Sequence, residues 1–336
     1  MTTTRETTTR DSNDYPAVFR RMIERSVTLA LQEAARPQWR PEPEKQAQLL
    51  FALANALRLP TAWPETLPLL AELAPRMEQV GLREEWLAYL ERAINCADLS
   101  GDRQTAASLV LERGILLERL GRLPEAQTTL ADAFNRFAIL ADQLGQAKAH
   151  NRLAYVLRGR RMADAAAQQV EQAMRLLDQS DAETNYCHMV WGLLAYDRRD
   201  WKEAEHHLRR SVQGWRDGKE QRLYAMALIN LAAVSMSAAN FEGARESLQE
   251  AVGILSLIGD MANEALVHLN MGTTYLFLQQ PHAAIAESLA AEAVYRSLQD
   301  EQRLALIYTN LGLAYTEISA WENAESYFEA AIQRFA

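Results

Sequence analysis

The sequence predicts an all-α solenoid of antiparallel helix pairs. Six times, a residue in the middle of one amphipathic segment is followed twelve places later by an alanine that opens the next segment. These alanines recur after 39, 39, 40, 40 and 40 residues, and a period of this length is typical of solenoids. No alternating, β-branched run of strand length competes with this pattern. The six pairs are Gly114/Ala126, Leu153/Ala165, Gly192/Ala204, Ala232/Ala244, Gly272/Ala284 and Gly312/Ala324.

Composition narrows the class of protein. The chain has 336 residues, 49% of them hydrophobic, and a formal net charge of −9. The negative charge argues against bulk attraction to nucleic acid or to an anionic membrane. Two cysteines, Cys96 and Cys187, fit a reducing compartment. The first residues lack the apolar core of a secretory signal, and no apolar run approaches the roughly 18 residues of a spanning helix. We therefore expect a cytoplasmic location.

The segment before residue 101 has a composition of its own, because eight of the ten prolines lie within residues 1–75. We expect the Thr-rich residues 1–14 to form a disordered tail. Helices are predicted over about 15–35, from Glu44 to before Pro60, and over 64–79 and 82–99, with an extended connector at Pro37, Pro41 and Pro43. We interpret residues 15–100 as an irregular, capping helical region, since terminal units of solenoids are commonly atypical.

Residues 101–336 are predicted to form six regular helix pairs. Acidic residues stand at the start of each pair, where a carboxylate favours the N-terminus of a helix. These residues are Asp102, Asp142, Asp181, Glu220, Asp260 and Asp300.

The residues around the twelve-residue spacing resemble the tetratricopeptide repeat (TPR) family. That family has a small residue where its first helix crosses the second, an alanine early in the second helix, and large apolar residues around both. The last unit matches with Gly312, Tyr315, Trp321, Ala324 and Phe328. The second unit departs, because Leu153 takes the small-residue place with Ala154 beside it. The resemblance covers about residues 101–336 and implies a right-handed superhelix, in the longer-repeat form of bacterial regulators, signalling NTPases and peptide-binding adaptors.

One polar column runs through the predicted first helices. Asn230, Asn270 and Asn310 each stand two residues before the small residue, and alignment of neighbouring repeats places Asn151 in the same column. Asparagine is a mediocre helix former, so its repeated use needs a reason. One reading is a ladder of amides on the concave face that holds the backbone of an extended peptide, as in several peptide-binding members of the family. The other is that these side chains bridge neighbouring helices or loops.

A second column, five residues after the small residue, runs from basic to acidic and includes Arg119, Arg158, Asp197 and Glu317. The regional net charge follows the same direction, from +2 over 101–180 to −3 over 181–260 and −6 over 261–336. The hypothesis is that an acidic segment of a ligand docks toward Arg119 and Arg158. The alternative is ordinary solvated charge.

The sequence offers no catalytic constellation, cofactor motif or metal-ligand set. Cys187-His188 and His206-His207 lack the spacing of zinc ligands. The tryptophans suggest stacking on single-stranded nucleic acid, but the net charge opposes this, and Trp201 and Trp321 occupy positions expected to pack in the core.

The last helix ends with Phe328, Ile332 and Phe335 expected to be partly uncovered. A trimmed chain, self-association through this helix and docking of another chain each explain such a face. The function predicted overall is a non-catalytic protein- or peptide-binding scaffold without cofactor. The alternative is the ligand-sensing domain of a transcriptional or signalling-NTPase regulator whose effector domain is absent from this chain.

Overall fold

The structure, a computed structural model, describes residues 15–35, 43–79, 82–218 and 220–335. These residues form α-helices joined by short turns, with no strand among them and one 3-10 turn at Pro60–Ala62. The helices are α1 (Tyr15–Ala34), α2 (Pro43–Ala56), α3 (Trp63–Gln79), α4 (Arg83–Leu99), α5 (Arg103–Arg119), α6 (Leu123–Ile139), α7 (Gln143–Gly159), α8 (Ala163–Leu176), α9 (Thr184–Asp197), α10 (Trp201–Arg216), α11 (Gln221–Ser237), α12 (Phe241–Ile258), α13 (Met261–Phe277), α14 (Pro281–Ser297), α15 (Glu301–Glu317) and α16 (Trp321–Phe335). The all-α fold class is confirmed.

Parts of the sequence-based description concern residues that the structure does not describe. The Thr-rich segment 1–14 and the connector at Pro37 and Pro41 lie outside the described residues. So does the side chain of Phe335.

The chain divides into two compact units. Among the described residues, the first unit comprises those from 15 to 78 and 82–113, and the second comprises residue 79 and those from 114 to 335. The division falls inside α5, whereas the sequence places the start of the regular repeats at residue 101. The candidate binding surface belongs to the second unit.

The spacing of helix starts extends further than the alanine pattern. The even-numbered helices α2 to α16 begin at residues 43, 83, 123, 163, 201, 241, 281 and 321. The interval is 40 residues throughout, except for 38 between α8 and α10. The region before residue 101 therefore keeps the period of the repeats, although Gln46 and Trp86 stand where the second helices of the repeats carry alanine. In the first unit, Trp63 Nε1 donates to Asp102 Oδ2 at 3.0 Å, and Tyr89 Oη donates to the carbonyl of Leu50 at 3.3 Å.

Helices within a pair of the second unit are antiparallel. In the pair α9/α10, Nδ1 of His188 lies 3.0 Å from Nδ1 of His207. One turn further along α9, a β-carbon at Gly192 would lie 3.2 Å from the carbonyl oxygen of Ala204, one turn earlier on α10 than His207, so contacts move backward along α10 as they move forward along α9. We call the odd-numbered helices α5 to α15 the first helices and the even-numbered helices α6 to α16 the second helices.

Carboxylates cap four of the six first helices as the sequence predicts. The side chains of Asp102, Asp142, Asp260 and Asp300 each accept a hydrogen bond from the backbone N–H three residues later. Such caps satisfy one of the donors that a helix start leaves unpaired. Asp181 differs, because it accepts from the N–H of Asp178 within the loop before α9. Glu220 precedes α11 but its side chain makes no capping bond.

The two tryptophans assigned to packing positions differ in burial. Trp201 is half-buried and its ring lies 5.3 Å from that of Tyr196, between centroids. Trp321 is 63% exposed, so the sequence-based placement of this residue in the core is wrong. Trp321 opens α16, and the aromatic contact that Phe241 makes with Phe277 at the equivalent position has no counterpart for Trp321 among the described residues. Ile332 on the same helix is also exposed, and Phe328 packs against Gly312.

Candidate binding surface

Each first helix crosses its second helix at a small residue. A β-carbon added at Gly192 would lie 2.6 Å from Cγ of Leu208, and one at Gly312 would lie 2.6 Å from Cε1 of Phe328. Distances this short are not tolerated between carbon atoms, so the helices approach closely because these positions lack a side chain. The crossing point fixes the register of each repeat and therefore the direction of every side chain on its first helix.

The register of the second repeat differs by one residue from that predicted. Ala154 and Ala166 are fully buried, whereas Leu153 and Ala165 are half-buried. Arg161, seven residues after Ala154, has a φ of 61°, and Arg199, seven residues after Gly192, has the equivalent φ of 63°. The crossing pair is therefore Ala154/Ala166. With this register, the only departure of the second-helix starts in the described repeats from the 40-residue period is the interval of 38 residues between the starts of α8 and α10.

Four positions of each first helix share one face. They stand six and two residues before the small residue and one and five residues after it, a spacing of three or four that returns to the same side of an α-helix. We call this surface of α7, α9, α11, α13 and α15 the first-helix face. Contacts between neighbouring first helices make it continuous, because Ser237 Oγ donates to Tyr196 Oη at 3.2 Å and Asn310 Nδ2 donates to Thr273 Oγ1 at 2.9 Å.

The three asparagines with the predicted register have different environments. Asn310 is buried and joins α15 to α13 through Thr273, which is the bridging role that the sequence left open. On the preceding first helix, the residue equivalent to Thr273 is Leu193 for Asn230 and Ala233 for Asn270, and neither side chain has an acceptor. Nδ2 of Asn230 is buried and has no hydrogen-bond partner among the described residues. Asn270 is half-buried on the same face.

Asn151 does not belong to the asparagine column, so its assignment to the groove is wrong. The corrected register places Arg152 two residues before the small residue and turns Asn151 into the core, where it is fully buried. Its Nδ2 donates to Oε1 of Glu183 at 2.9 Å, and its Oδ1 accepts from Sγ of Cys187 at 3.2 Å. These bonds hold the loop before α9 against α7.

Arg152 and Tyr186 close the first-helix face over α9. Cζ of Arg152 lies 3.4 Å from the centroid of the Tyr186 ring, and Nη1 lies 3.7 Å from Oε1 of Glu183. Three of the four face positions of α9, Tyr186, Val190 and Leu193, are buried, and the fourth, Asp197, is paired with Arg158. The open part of the face therefore begins at α11.

The basic residues assigned to an acidic ligand are already engaged. Arg158 forms a bidentate ion pair with Asp197, with Nε–Oδ2 at 2.6 Å and Nη2–Oδ1 at 2.8 Å. This pair joins α7 to α9, so two members of the predicted charge series neutralise each other. Arg119 is half-buried and also makes an interaction within the protein.

Three large apolar side chains are exposed on the open part of the face. Phe277 is 59% exposed, Leu306 is 48% exposed and Leu313 is 46% exposed. The ring of Phe277 stacks on Phe241 with centroids 4.6 Å apart and planes at 2°. Exposed apolar side chains grouped on one face mark interaction surfaces more often than isolated ones do.

Two titratable groups of α9 have shifted pKa values. Burial raises the pKa of the Cys187 thiol to about 12, so it stays protonated at neutral pH. Burial, together with the charges of Arg210, His207 and His206, lowers the pKa of His188 to about 4. No group of three or more histidine, cysteine or acidic side chains in the described part of the chain has the geometry to hold a metal ion.

No protein-family model and no curated protein sequence matches the chain. Solved structures do match. The crystal structure of a signal transduction ATPase with numerous domains that has a tetratricopeptide repeat sensor, from Pyrococcus horikoshii, aligns with 94% of this chain at a TM-score of 0.59 and 14% identity. The chain spans 46% of the length of that protein. A Rap protein complexed with competence and sporulation factor aligns over 95% of this chain and 97% of its own, with a TM-score of 0.57 and 11% identity. The apo form of RapI aligns over 76% of this chain and 94% of its own, with a TM-score of 0.53 and 14% identity.

The fold is a tetratricopeptide-repeat solenoid. Among the described residues of this TPR solenoid, no helix has the length and apolar character needed to cross a membrane. Sequence reasoning located Asn230, Asn270 and Asn310 but did not select Leu306 and Leu313, which lie on the same face. The sequence contained the information needed to find them, because Leu306 stands four residues before Asn310 and Leu313 stands three residues after it.

Proposed function

We propose that the TPR solenoid is a non-catalytic scaffold that binds an extended peptide segment of a partner protein across the first-helix face of α11, α13 and α15. The observation that carries the proposal is the buried, unpartnered Nδ2 of Asn230 in the middle of this open face. A buried donor without an acceptor costs about 1–3 kcal/mol. A backbone carbonyl of a bound peptide removes that cost.

Asn270 extends the same arrangement to the next helix. It occupies the position of Asn230 on α13 and is half-buried. Neighbouring packed helices lie about 8–10 Å apart, and an extended chain advances about 3.3 Å per residue. A peptide crossing the face therefore offers a carbonyl to each amide at intervals of about three residues, with its side chains on the apolar positions between them.

The structural neighbours support a scaffold or sensor in general terms. One of them is complexed with competence and sporulation factor, and another is a signal transduction ATPase with a TPR sensor. The second neighbour favours a second candidate function, the ligand-sensing part of a regulator, since 94% of this chain aligns with 46% of that larger protein. Sequencing the native gene tests this second candidate, which expects the gene product to contain an effector domain.

Selection of a random linear-peptide display library on the full chain tests the first candidate. We expect synthetic versions of the selected peptides to bind the unaltered chain and to lose about tenfold to a hundredfold in affinity for the double variant Asn230→Ala/Asn270→Ala. Asn135→Ala, an exposed asparagine of α6, is the matched control and retains affinity. Peptides that bind the double variant as tightly as the unaltered chain contradict the proposed site, and peptides rich in Asp and Glu that depend on Arg119 and Arg158 relocate it to the basic end.

A further inference from the structure

The open part of the first-helix face carries a single ionisable side chain. Its other members are amides, hydroxyls and apolar groups. The twelve residues are Met226, Asn230, Ala233, Ser237, Leu266, Asn270, Thr273, Phe277, Leu306, Asn310, Leu313 and Glu317. Glu317 is exposed at the C-terminal end of α15, and the described residues provide it with no ion-pair partner. At these twelve positions a ligand therefore meets one negative charge, and one turn earlier on the helices Arg222 and Arg303 are each paired with an aspartate, Asp260 and Asp300.

The surroundings of Glu317 do not neutralise it. Residues 261–336 contain three basic side chains, Arg296, Arg303 and Arg334, against nine acidic ones. Each of the three is paired with a carboxylate within the protein, namely Glu292, Asp300 and Glu301. The field near the end of α15 is consequently negative, and it favours a cationic group in a bound segment.

Acidic ligands lack a comparable complement. Arg158 is held by Asp197 in a bidentate pair, and Arg152 lies over the Tyr186 ring beside Glu183. Both are on α7, and the buried face of α9 separates them from the open positions. At the twelve open positions an acidic segment has only Glu317 as a charged neighbour, which repels it.

We propose that the segment bound by this face is an extended apolar peptide with one lysine or arginine, and that this cation pairs with Glu317. This inference rests on the proposed peptide-binding function and specifies its ligand. The apolar side chains contact Met226, Leu266, Leu306 and Leu313, while the amides of Asn230 and Asn270 take backbone carbonyls. Two helix-to-helix steps of about 8–10 Å need about six residues of extended chain, which sets the length of the segment.

The test compares random linear-peptide selections on four full-length chains: unaltered, Glu317→Lys, Leu313→Asp and the control Glu325→Lys. Glu325 is an exposed carboxylate of α16, off the first-helix face, so its variant has the same net charge as Glu317→Lys. We expect the unaltered and Glu325→Lys chains to enrich apolar peptides with Lys or Arg at one fixed place. We expect the Glu317→Lys chain to select peptides with Asp or Glu at that place instead of Lys or Arg. We also expect it to bind the original peptides about threefold to tenfold more weakly. Leu313→Asp abolishes their enrichment.

The outcomes separate this inference from the proposed function. Identical peptide preferences for the unaltered and Glu317→Lys chains, or acidic peptides selected by the unaltered chain, overturn the inference. If such peptides still depend on Asn230 and Asn270, the proposed function stands without it. If no selected peptide depends on these asparagines, the proposed function fails and the inference fails with it. Circular dichroism of the four chains confirms that the substituted proteins are folded.

Discussion

Asn310 donates a hydrogen bond from Nδ2 to Oγ1 of Thr273 over 2.9 Å, and this bond joins α15 to α13. Asn230 holds the same position on α11, where the equivalent of Thr273 on the preceding first helix is Leu193. The Nδ2 of Asn230 has no partner among the described residues. Two asparagines with one register therefore differ in role, because the neighbouring repeat supplies an acceptor in one case and a methyl-bearing side chain in the other.

Alanine substitution separates these two roles. We expect Asn310→Ala to lower the free energy of unfolding by about 1 kcal/mol, because it removes a bond between repeats. Asn230→Ala removes an unpaired donor and introduces a better helix former, so we expect the free energy of unfolding to rise by about 0.5–1 kcal/mol. Urea unfolding followed by circular dichroism measures both. Equal destabilisation by the two substitutions contradicts the assignment.

The contact between buried His188 of α9 and half-buried His207 of α10 predicts a dependence of stability on pH. Burial first, then the charges of Arg210, His207 and His206, lowers the pKa of His188 to about 4, whereas an unfolded histidine has a pKa of about 6.5. Between these values the unfolded chain binds a proton that the folded chain excludes. The free energy of unfolding therefore falls as the pH decreases from 6.5 towards 4, by up to about 1.4 kcal/mol per pH unit.

His188→Gln isolates this contribution, since glutamine keeps a polar side chain near His207 but does not titrate. We expect the unaltered chain to lose more stability than His188→Gln between pH 7 and pH 5, as measured by urea unfolding. His268 has the opposite sign, because its hydrogen bond to Glu287 raises its pKa and its contribution is lost as the pH rises through that value. Both proteins contain His268, so its effect cancels. His282→Gln, at an exposed histidine of α14, is the control and follows the unaltered chain.

Close approach at the helix crossing predicts that a single methyl group at Gly192 is destabilising. Its β-carbon would lie 2.6 Å from Cγ of Leu208 and 3.2 Å from the carbonyl oxygen of Ala204. We expect Gly192→Ala to lower the free energy of unfolding by about 1–3 kcal/mol through overpacking. Gly253→Ala on α12 is the matched control, because nothing lies within 4 Å of its β-carbon. It should raise stability by about 0.5–1 kcal/mol.

A residue with positive φ lies in the turn between the helices of a pair, and we expect a glycine substitution there to stabilise the protein. Ala239 has a φ of 59°, in the left-handed region where a β-carbon costs about 1–2 kcal/mol. We expect Ala239→Gly to raise the thermal unfolding midpoint. Ala238→Gly, one residue earlier at a φ of −87°, should lower it, because glycine there only adds freedom to the unfolded chain. A midpoint that moves in the same direction for both substitutions contradicts this reading of the turn.

Local patterns predicted the helices well, since each depends on residues close together in the chain. The bounds of α1 to α4, the small residues at five of the six crossings and the caps by Asp142, Asp260 and Asp300 follow from spacing and from residue type. The register of the second repeat did not, because Leu153 and Ala154 are both compatible with the pattern. The burial of Ala154 and Ala166, together with the φ of Arg161, shows that Ala154 is the crossing residue.

By itself, the sequence determined the all-α class, the repeat period and the common register of Asn230, Asn270 and Asn310. Each repeat shows the same helical spacing of apolar and small residues. Tertiary structure alone decided what each side chain meets. The partners of Asn151, Arg158 and Asn310 stand 32, 39 and 37 residues away along the chain. Their positions depend on how one repeat stacks on the next, which buries Asn151 against the loop before α9 and leaves the open face to α11, α13 and α15.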